Sequence, residues 1–231
     1  MGTSLQSPVS GDTHRVLPDG CIDIIFDFGD LRPRSPAYVV GTMSRPVLVG
    51  MAGQVDLLGV RFRPGGCQPF LEFNAAECTD DTADLECFWG KAGAEVWDRL
   101  ATLANTRARI SYLESYLLKE FGWRLGLDPY VQFSVRLIQR ERGAVAMAAL
   151  EKGTGLSGRQ LERKFARDIG LSPKAFARVV RFEHLVRTAR AATSLDWTQF
   201  ALDGGYSDQS HLIRDFKAFS GRTPAEFFAA Q

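Results

Sequence analysis

Two short stretches of this 231-residue chain carry side chains suited to hydrogen bonding with base edges. Arg159, Glu162 and Arg163 lie in "GLSGRQLERKFARDIGLSP", residues 155–173. Gln209, Ser210 and Arg214 lie in "GYSDQSHLIRDFKAFSGRTP", residues 205–224. At 100° per residue, Leu161 and Phe165 point to one side of a helix, with Arg159, Glu162, Arg163 and Ala166 broadly opposite. In the second stretch Leu212 and Phe216 turn inward and Ser210, Arg214 and Lys217 outward, with Ile213 at the flank and Gln209 at the exposed helix start. Arg grips guanine with two hydrogen bonds, Glu accepts from the cytosine amino group, Gln pairs with adenine, and Ile213 suits a thymine methyl. The competing reading is a merely solvated helix face. One such helix would not decide between the two; a matched pair in a basic region favours DNA.

The pair arises from an internal repeat. Leu161 with Leu212, Arg163 with Arg214, Phe165 with Phe216, Gly170 with Gly221, Pro173 with Pro224 and Phe176 with Phe227 all share an offset of 51. Gly155 with Gly205 and Ser157 with Ser207 differ by 50, which places one extra residue at the second helix start. Each copy reads as helix, glycine turn and helix, with Ser157 or Ser207 as N-cap and Gly170 or Gly221 as the stop before a proline. Between them, "SPKAFARVVRFEHLVRTARAA" has helical apolar spacing and forms one long helix. About 20 residues at about 1.5 Å each span about 30 Å, close to the roughly 34 Å between successive major-groove faces.

Charge divides along the chain in the same sense. Residues 1–128 hold 12 Lys and Arg against 17 Asp and Glu, a net of −5, and residues 129–231 hold 16 against 10, a net of +6. A basic half beside an acidic one fits a polyanion-binding domain attached to one with another task. Helix starts and flanking cations hold DNA backbone, so Ser157, Lys164, Arg167, Lys174, Arg178, Ser207, Lys217, Arg222 and Thr223 are the candidate phosphate contacts. Leu156 and Tyr206, just before the cap serines, read as core plugs.

Over about residues 130–230 the chain resembles the AraC-type (AraC/XylS) transcriptional regulators, most clearly in "GYSDQSHLIRDFKAFSGRTPAEF". The resemblance implies two helix-turn-helix motifs joined by a long helix, and places the base-reading positions on Arg159, Glu162, Arg163, Gln209, Ser210 and Arg214. The chain departs from the family pattern at Glu151, where the first unit usually has a small alanine. That substitution predicts looser packing or less strict DNA binding by the first unit.

The acidic half begins with strands. "CIDIIFDFGD" alternates Ile22, Ile24, Phe26 and Phe28 against Asp23 and Asp27, with Ile25 the exception, and "AYVVGT", "RPVLVGM" and "QVDLLGVRFRP" follow between Gly and Pro breaks. Helical pattern takes over from Gln68. "LPDGCIDIIFDF" and "GVRFRPGG" resemble the N-terminal region of an AraC-type subgroup. Arg61 and Arg63 could hold an anionic effector or be ion-paired on a sheet face. Ile110, Leu113, Leu117 and Phe121 form a helical stripe suited to core packing or to a homodimer seam.

Enzymatic chemistry finds little support. Cys21, Cys67, Cys78 and Cys87, with gaps of 46, 11 and 9 positions, match neither a zinc site nor a disulfide framework. They read as reduced thiols of a cytoplasmic protein. His14 is the only histidine before residue 184, too few for a metal oxygenase centre. Asp19, Asp23 and Asp27 are better explained as strand and turn acids than as an acid/base pair. No apolar run approaches the roughly 18–20 residues that cross a bilayer.

The expected protein is therefore α+β: a flexible tail (1–12), a β-rich sensing or dimerisation domain with a helical C-terminal part (13–127), and an all-α DNA-binding domain (128–231) with helix-turn-helix units at about 144–166 and 195–218. Its expected function is sequence-specific transcription regulation without cofactor, metal or catalysis. Double-stranded DNA is the expected partner, with a small-molecule effector, RNA polymerase and a second copy of the chain beside it and no membrane. The rival reading is an enzyme or small-molecule-binding protein acting through residues 13–70, with DNA binding secondary.

Overall fold

Alternation of apolar residues with aspartates builds the central strand of the N-terminal half. β2 (Ile22–Asp27) buries Ile22, Ile24 and Phe26 and pairs antiparallel with β3 (Ala37–Val40) and β5 (Leu57–Phe62). With β6 (Thr82–Asp84) outside β3, the order is β5-β2-β3-β6. A separate ribbon pairs β1 (Thr13–Val16) with β4 (Val47–Gly50). The structure is a computed structural model and describes residues 13–29, 31, 35–50, 53–124, 126–192 and 196–229. The expected tail, 1–12, lies outside the described residues.

β1 and β6 are not apparent in the sequence. Each has three or four residues without a buried face, so neither leaves the alternation that marks a strand. Asp27, expected on the solvent side, is buried and accepts a hydrogen bond from the Gly29 amide at 2.8 Å. There the strand leaves its alternating pattern and the carboxylate ties down the turn that follows.

α1 (Gln68–Leu71), a 3-10 turn at Ala75–Cys78, α2 (Glu86–Trp89), α3 (Lys91–Ala101) and α4 (Thr106–Phe121) cover one face of the sheet. The α4 stripe contributes to the core. Leu113 is buried, Ile110 and Leu117 pack against the sheet's cluster, and Phe121 stacks on Trp89 with ring centroids 5.3 Å apart. The stripe packs on its own chain's core, with Ile110, Leu117 and Phe121 half-buried.

A second core cluster spans Val131 to Phe227. α5 (Pro129–Arg140) starts at Asp128, whose carboxylate accepts from the Tyr130 and Val131 amides, with Pro at the first helical position. α6 (Met147–Thr154) and α7 (Gly158–Ile169) make the first helix pair, α9 (Trp197–Asp203) and α10 (Gln209–Ser220) the second, and α11 (Pro224–Ala229) closes the chain. Both pairs lie two to three residues beyond the expected 144–166 and 195–218, since α7 and α10 run on to their glycine caps. α8 (Pro173–Ala191) joins them with 19 residues, about 28 Å at about 1.5 Å per residue.

Candidate nucleic-acid interface

The two helices expected to read bases, α7 and α10, form where their caps and apolar stripes dictate. α7 starts at Ser157, with the Gln160 side chain reaching back to the Ser157 amide at 2.9 Å, as in a capping box. It buries Leu161 and Phe165 and ends at Gly170 with φ 85°. α10 buries Leu212 and Phe216 and ends at Gly221 with φ 74°. Left-handed glycine at this place is a usual helix stop.

The second cap corrects the sequence reading. Asp208, not Ser207, caps α10, its carboxylate accepting from the His211 amide at 2.7 Å. Asp208 stands 51 positions after Ser157, so the helix starts share the repeat offset and the extra residue lies between the turn glycine and the cap, Gly205 to Asp208 against Gly155 to Ser157. Ser207 instead donates to the Asp208 carboxylate at 3.0 Å. The His211 amide, foremost, and Ser207 hold the exposed Asp208 carboxyl below the usual range.

Glu151 proves to be an anchor. Its Oε1 accepts from the Gly158 amide at 2.6 Å, placing a carboxylate at the positive start of α7. The larger side chain thus fastens α6 to α7 across the turn, which the sequence could not show because the partners are seven residues apart. Glu151→Ala is expected to lower the stability of the first unit by about 1 kcal/mol, while Glu151→Gln keeps the acceptor and most of that stability; urea unfolding midpoints measure both.

All six proposed base-reading side chains are exposed: Arg159, Glu162 and Arg163 on α7, Gln209, Ser210 and Arg214 on α10. Each set comes together on the face opposite its helix's buried Leu and Phe. Among the described residues, none of the six side chains has a carboxylate or side-chain hydrogen-bond partner within bonding distance; Arg214 Nε donates weakly to the Ser210 carbonyl at 3.4 Å. Ile213 is half-buried and packs against the core.

The six cations among the proposed phosphate contacts divide into two groups. Lys174, Lys217 and Arg222 are exposed. Lys164, Arg167 and Arg178 are held in ion pairs. Lys164 bonds Asp128, Arg167 bonds Asp168 and reaches Asp128 at 3.3 Å, and Arg178 grips the buried Asp215 at 2.7 and 3.3 Å, tying α8 to α10. Burial opposes the charge on Asp128, but Lys164 and the two helix-start amides outweigh it and hold its carboxyl below the usual range. Stability from that site is present above the ordinary carboxylate range and is lost as pH falls through the lowered value. Ser157 bonds the Gln160 side chain at 3.0 Å, and the Thr223 hydroxyl accepts from the Glu226 amide at 3.4 Å.

In the N-terminal half Arg61 is engaged by two carboxylates, Asp23 at 2.8 and 2.9 Å and Asp19 at 2.9 Å, while Arg63 is exposed beside the turn. Burial, assisted by Asp19, pushes the Cys21 thiol up to about 12, and burial does the same to Cys67; both are protonated at neutral pH and poor nucleophiles. A cavity of about 460 Å³ opens elsewhere, lined by residues including Phe73, Glu77, Cys78 and Phe88. Among the described residues, no cluster of His, Cys, Asp and Glu could hold a metal, and no helix is long and apolar enough to cross a membrane.

Residues 150–230 match the family described as "Helix-turn-helix domain", and residues 3–84 match "Domain of unknown function (DUF6597)". No curated protein matches the chain. Among solved structures, a probable AraC family transcriptional regulator from Rhodopseudomonas palustris is 31% identical, over 42% of this chain and 95% of that one, with a TM-score of 0.37. ToxT from Vibrio cholerae aligns over 99% of this chain and 97% of its own, at 8% identity and a TM-score of 0.50, a likeness of fold alone. By the sequence identity across nearly all of the first relative, and by the helix-turn-helix match, the chain belongs to the AraC family of DNA-binding transcription regulators.

Proposed function

We propose that α7 and α10 read two successive major-groove segments of one operator. Arg159, Glu162 and Arg163 contact bases at the first, and Gln209, Ser210 and Arg214 at the second. The observation that carries the reading is the repeat itself: two helices of the same phase, each burying its Leu and Phe and leaving its polar set exposed, with no side-chain partner. Unpaired donors matter because a side chain already bonded within the protein must give up that bond to bind DNA. The same argument ranks the phosphate contacts, with Lys174, Lys217 and Arg222 binding backbone while Lys164, Arg167 and Arg178 chiefly hold the fold.

Residues 13–127 act as the sensing domain and 128–231 as the DNA-binding domain. The cavity at Phe73 and Phe88 is the place for a small effector. One of its walls is the 3-10 turn Ala75–Cys78, which packs against α7, so occupancy would be felt at a reading helix.

Selection of bound duplexes from a random pool, followed by titration at several salt concentrations, tests the function. The expected result is one preferred sequence covering two groove segments about one turn apart, with a salt slope near −0.9 for each phosphate contact. Binding that depends on salt equally for every sequence would contradict it.

A further inference from the structure

The reading helices end on equivalent carbonyls, and the N-terminal half holds both. Ile169 and Ser220 stand 51 positions apart, the offset of the repeat. The Thr42 hydroxyl donates to the Ile169 carbonyl, and Arg15 NH1 donates to the Ser220 carbonyl at 2.6 Å. At α7 the grip extends over four successive carbonyls. Gln68 Nε2 donates to Arg167 at 2.8 Å, Cys67 Sγ approaches Asp168 at 3.9 Å, and Thr79 Oγ1 donates to Gly170 at 2.7 Å, on either side of the Thr42 bond. The last carbonyls of a helix have no partner within it; here a different part of the chain supplies the donors.

The two helix-ending glycines admit these donors. A Cβ on Gly170 would lie 2.7 Å from Thr79 Oγ1, and one on Gly221 2.8 Å from Arg15 NH1. Gly20 similarly leaves room for the Phe176 ring at the start of α8. The N-terminal half therefore meets each helix-turn-helix unit at the end of its reading helix, while the base-reading residues occupy the first half of each helix. Thr42 is fully buried in this contact.

We infer that the N-terminal half is a brace that fixes how far apart, and at what relative angle, the two reading helices stand. Arg15, Thr42 and Thr79 are then positioning residues that set the spacing between half-sites the protein accepts. The inference rests on reading α7 and α10 as the base-reading helices. The competing spacer is α8, which joins the units covalently and is tied to α10 through Arg178 and Asp215. If α8 alone sets the geometry, loss of the Arg15 bond changes nothing in it.

The test uses the full chain and a duplex carrying its selected site, with one base pair inserted or deleted between half-sites. The unaltered protein is expected to lose about tenfold or more in affinity for a one-pair shift, comparable to a mismatched pair, and Arg15→Ala or Thr79→Val about threefold or less. An equal penalty in all three proteins overturns the brace. A second measurement needs no DNA: spin labels on Lys152→Cys and Ala218→Cys, both at exposed positions, with Cys21 and Cys87 replaced by serine. A narrow distance distribution that broadens in Arg15→Ala supports the brace, and an unchanged width overturns it. Should the protein show no sequence preference, the base-reading assignment fails while the label distances still decide the brace.

Discussion

Phe216→Ala is expected to cost about 3–5 kcal/mol and to abolish sequence-specific DNA binding with it. Phe216 is fully buried at the inner face of α10. Its ring meets Phe182 of α8 at 5.2 Å, Phe227 of α11 at 5.4 Å and Trp197 of α9 at 6.4 Å. One side chain thus joins four helices, and those rings come from separate elements that cannot readily collapse into the space it leaves. Against the roughly 5–15 kcal/mol that holds a domain folded, this is a large fraction. Ile213→Ala serves as the comparison: it lies on the same helix but is only half-buried, so its loss is smaller. Chemical denaturation followed by circular dichroism measures both, and an unfolding midpoint for Phe216→Ala close to that of the unaltered chain would contradict the assignment of this residue as the centre of the second unit.

Legibility from sequence followed periodicity. The long linker helix, the Leu and Phe stripes of α7 and α10 and the strand around Ile24 announce themselves because each alternates apolar and polar residues at a regular interval over several positions. β1 and β6 are too short and too exposed to do so. Local chemistry was partly readable: Asp128 directly before Pro129 is a helix-start signal in its own right, and Asp208 could have been preferred to Ser207 as a cap by holding to the offset of 51 throughout. What the sequence could not disclose are bonds between residues far apart in the chain. Glu151 with Gly158, Arg178 with Asp215, and above all Arg15 with Ser220 pair groups whose neighbours in sequence carry no trace of the contact. Those bonds also change the meaning of the basic residues. Charge alone made Lys164, Arg167 and Arg178 equal to Lys174, Lys217 and Arg222 as phosphate contacts, and only the carboxylates facing the first three separate them.

That separation makes Arg214 the most informative single substitution for DNA binding. The side chain is exposed, and its one bond is a long one to a backbone carbonyl on its own helix, so Arg214→Ala removes the guanidinium without disturbing the fold. If Arg214 grips a base with two hydrogen bonds, its loss costs about 1–3 kcal/mol on the preferred site, roughly 5- to 150-fold in affinity, and relaxes the preference at one base pair while the others hold. Lys217→Ala, one turn further along the same exposed face, is expected to weaken binding to all sequences alike and to reduce the salt slope by about 0.9. Titrating both variants against the preferred site and against each single-pair change, at three salt concentrations, distinguishes the two roles on one helix. An Arg214→Ala protein that loses the same affinity on every duplex, with a shallower salt slope, would turn Arg214 into a backbone contact and shift the reading of the second half-site onto Gln209 and Ser210.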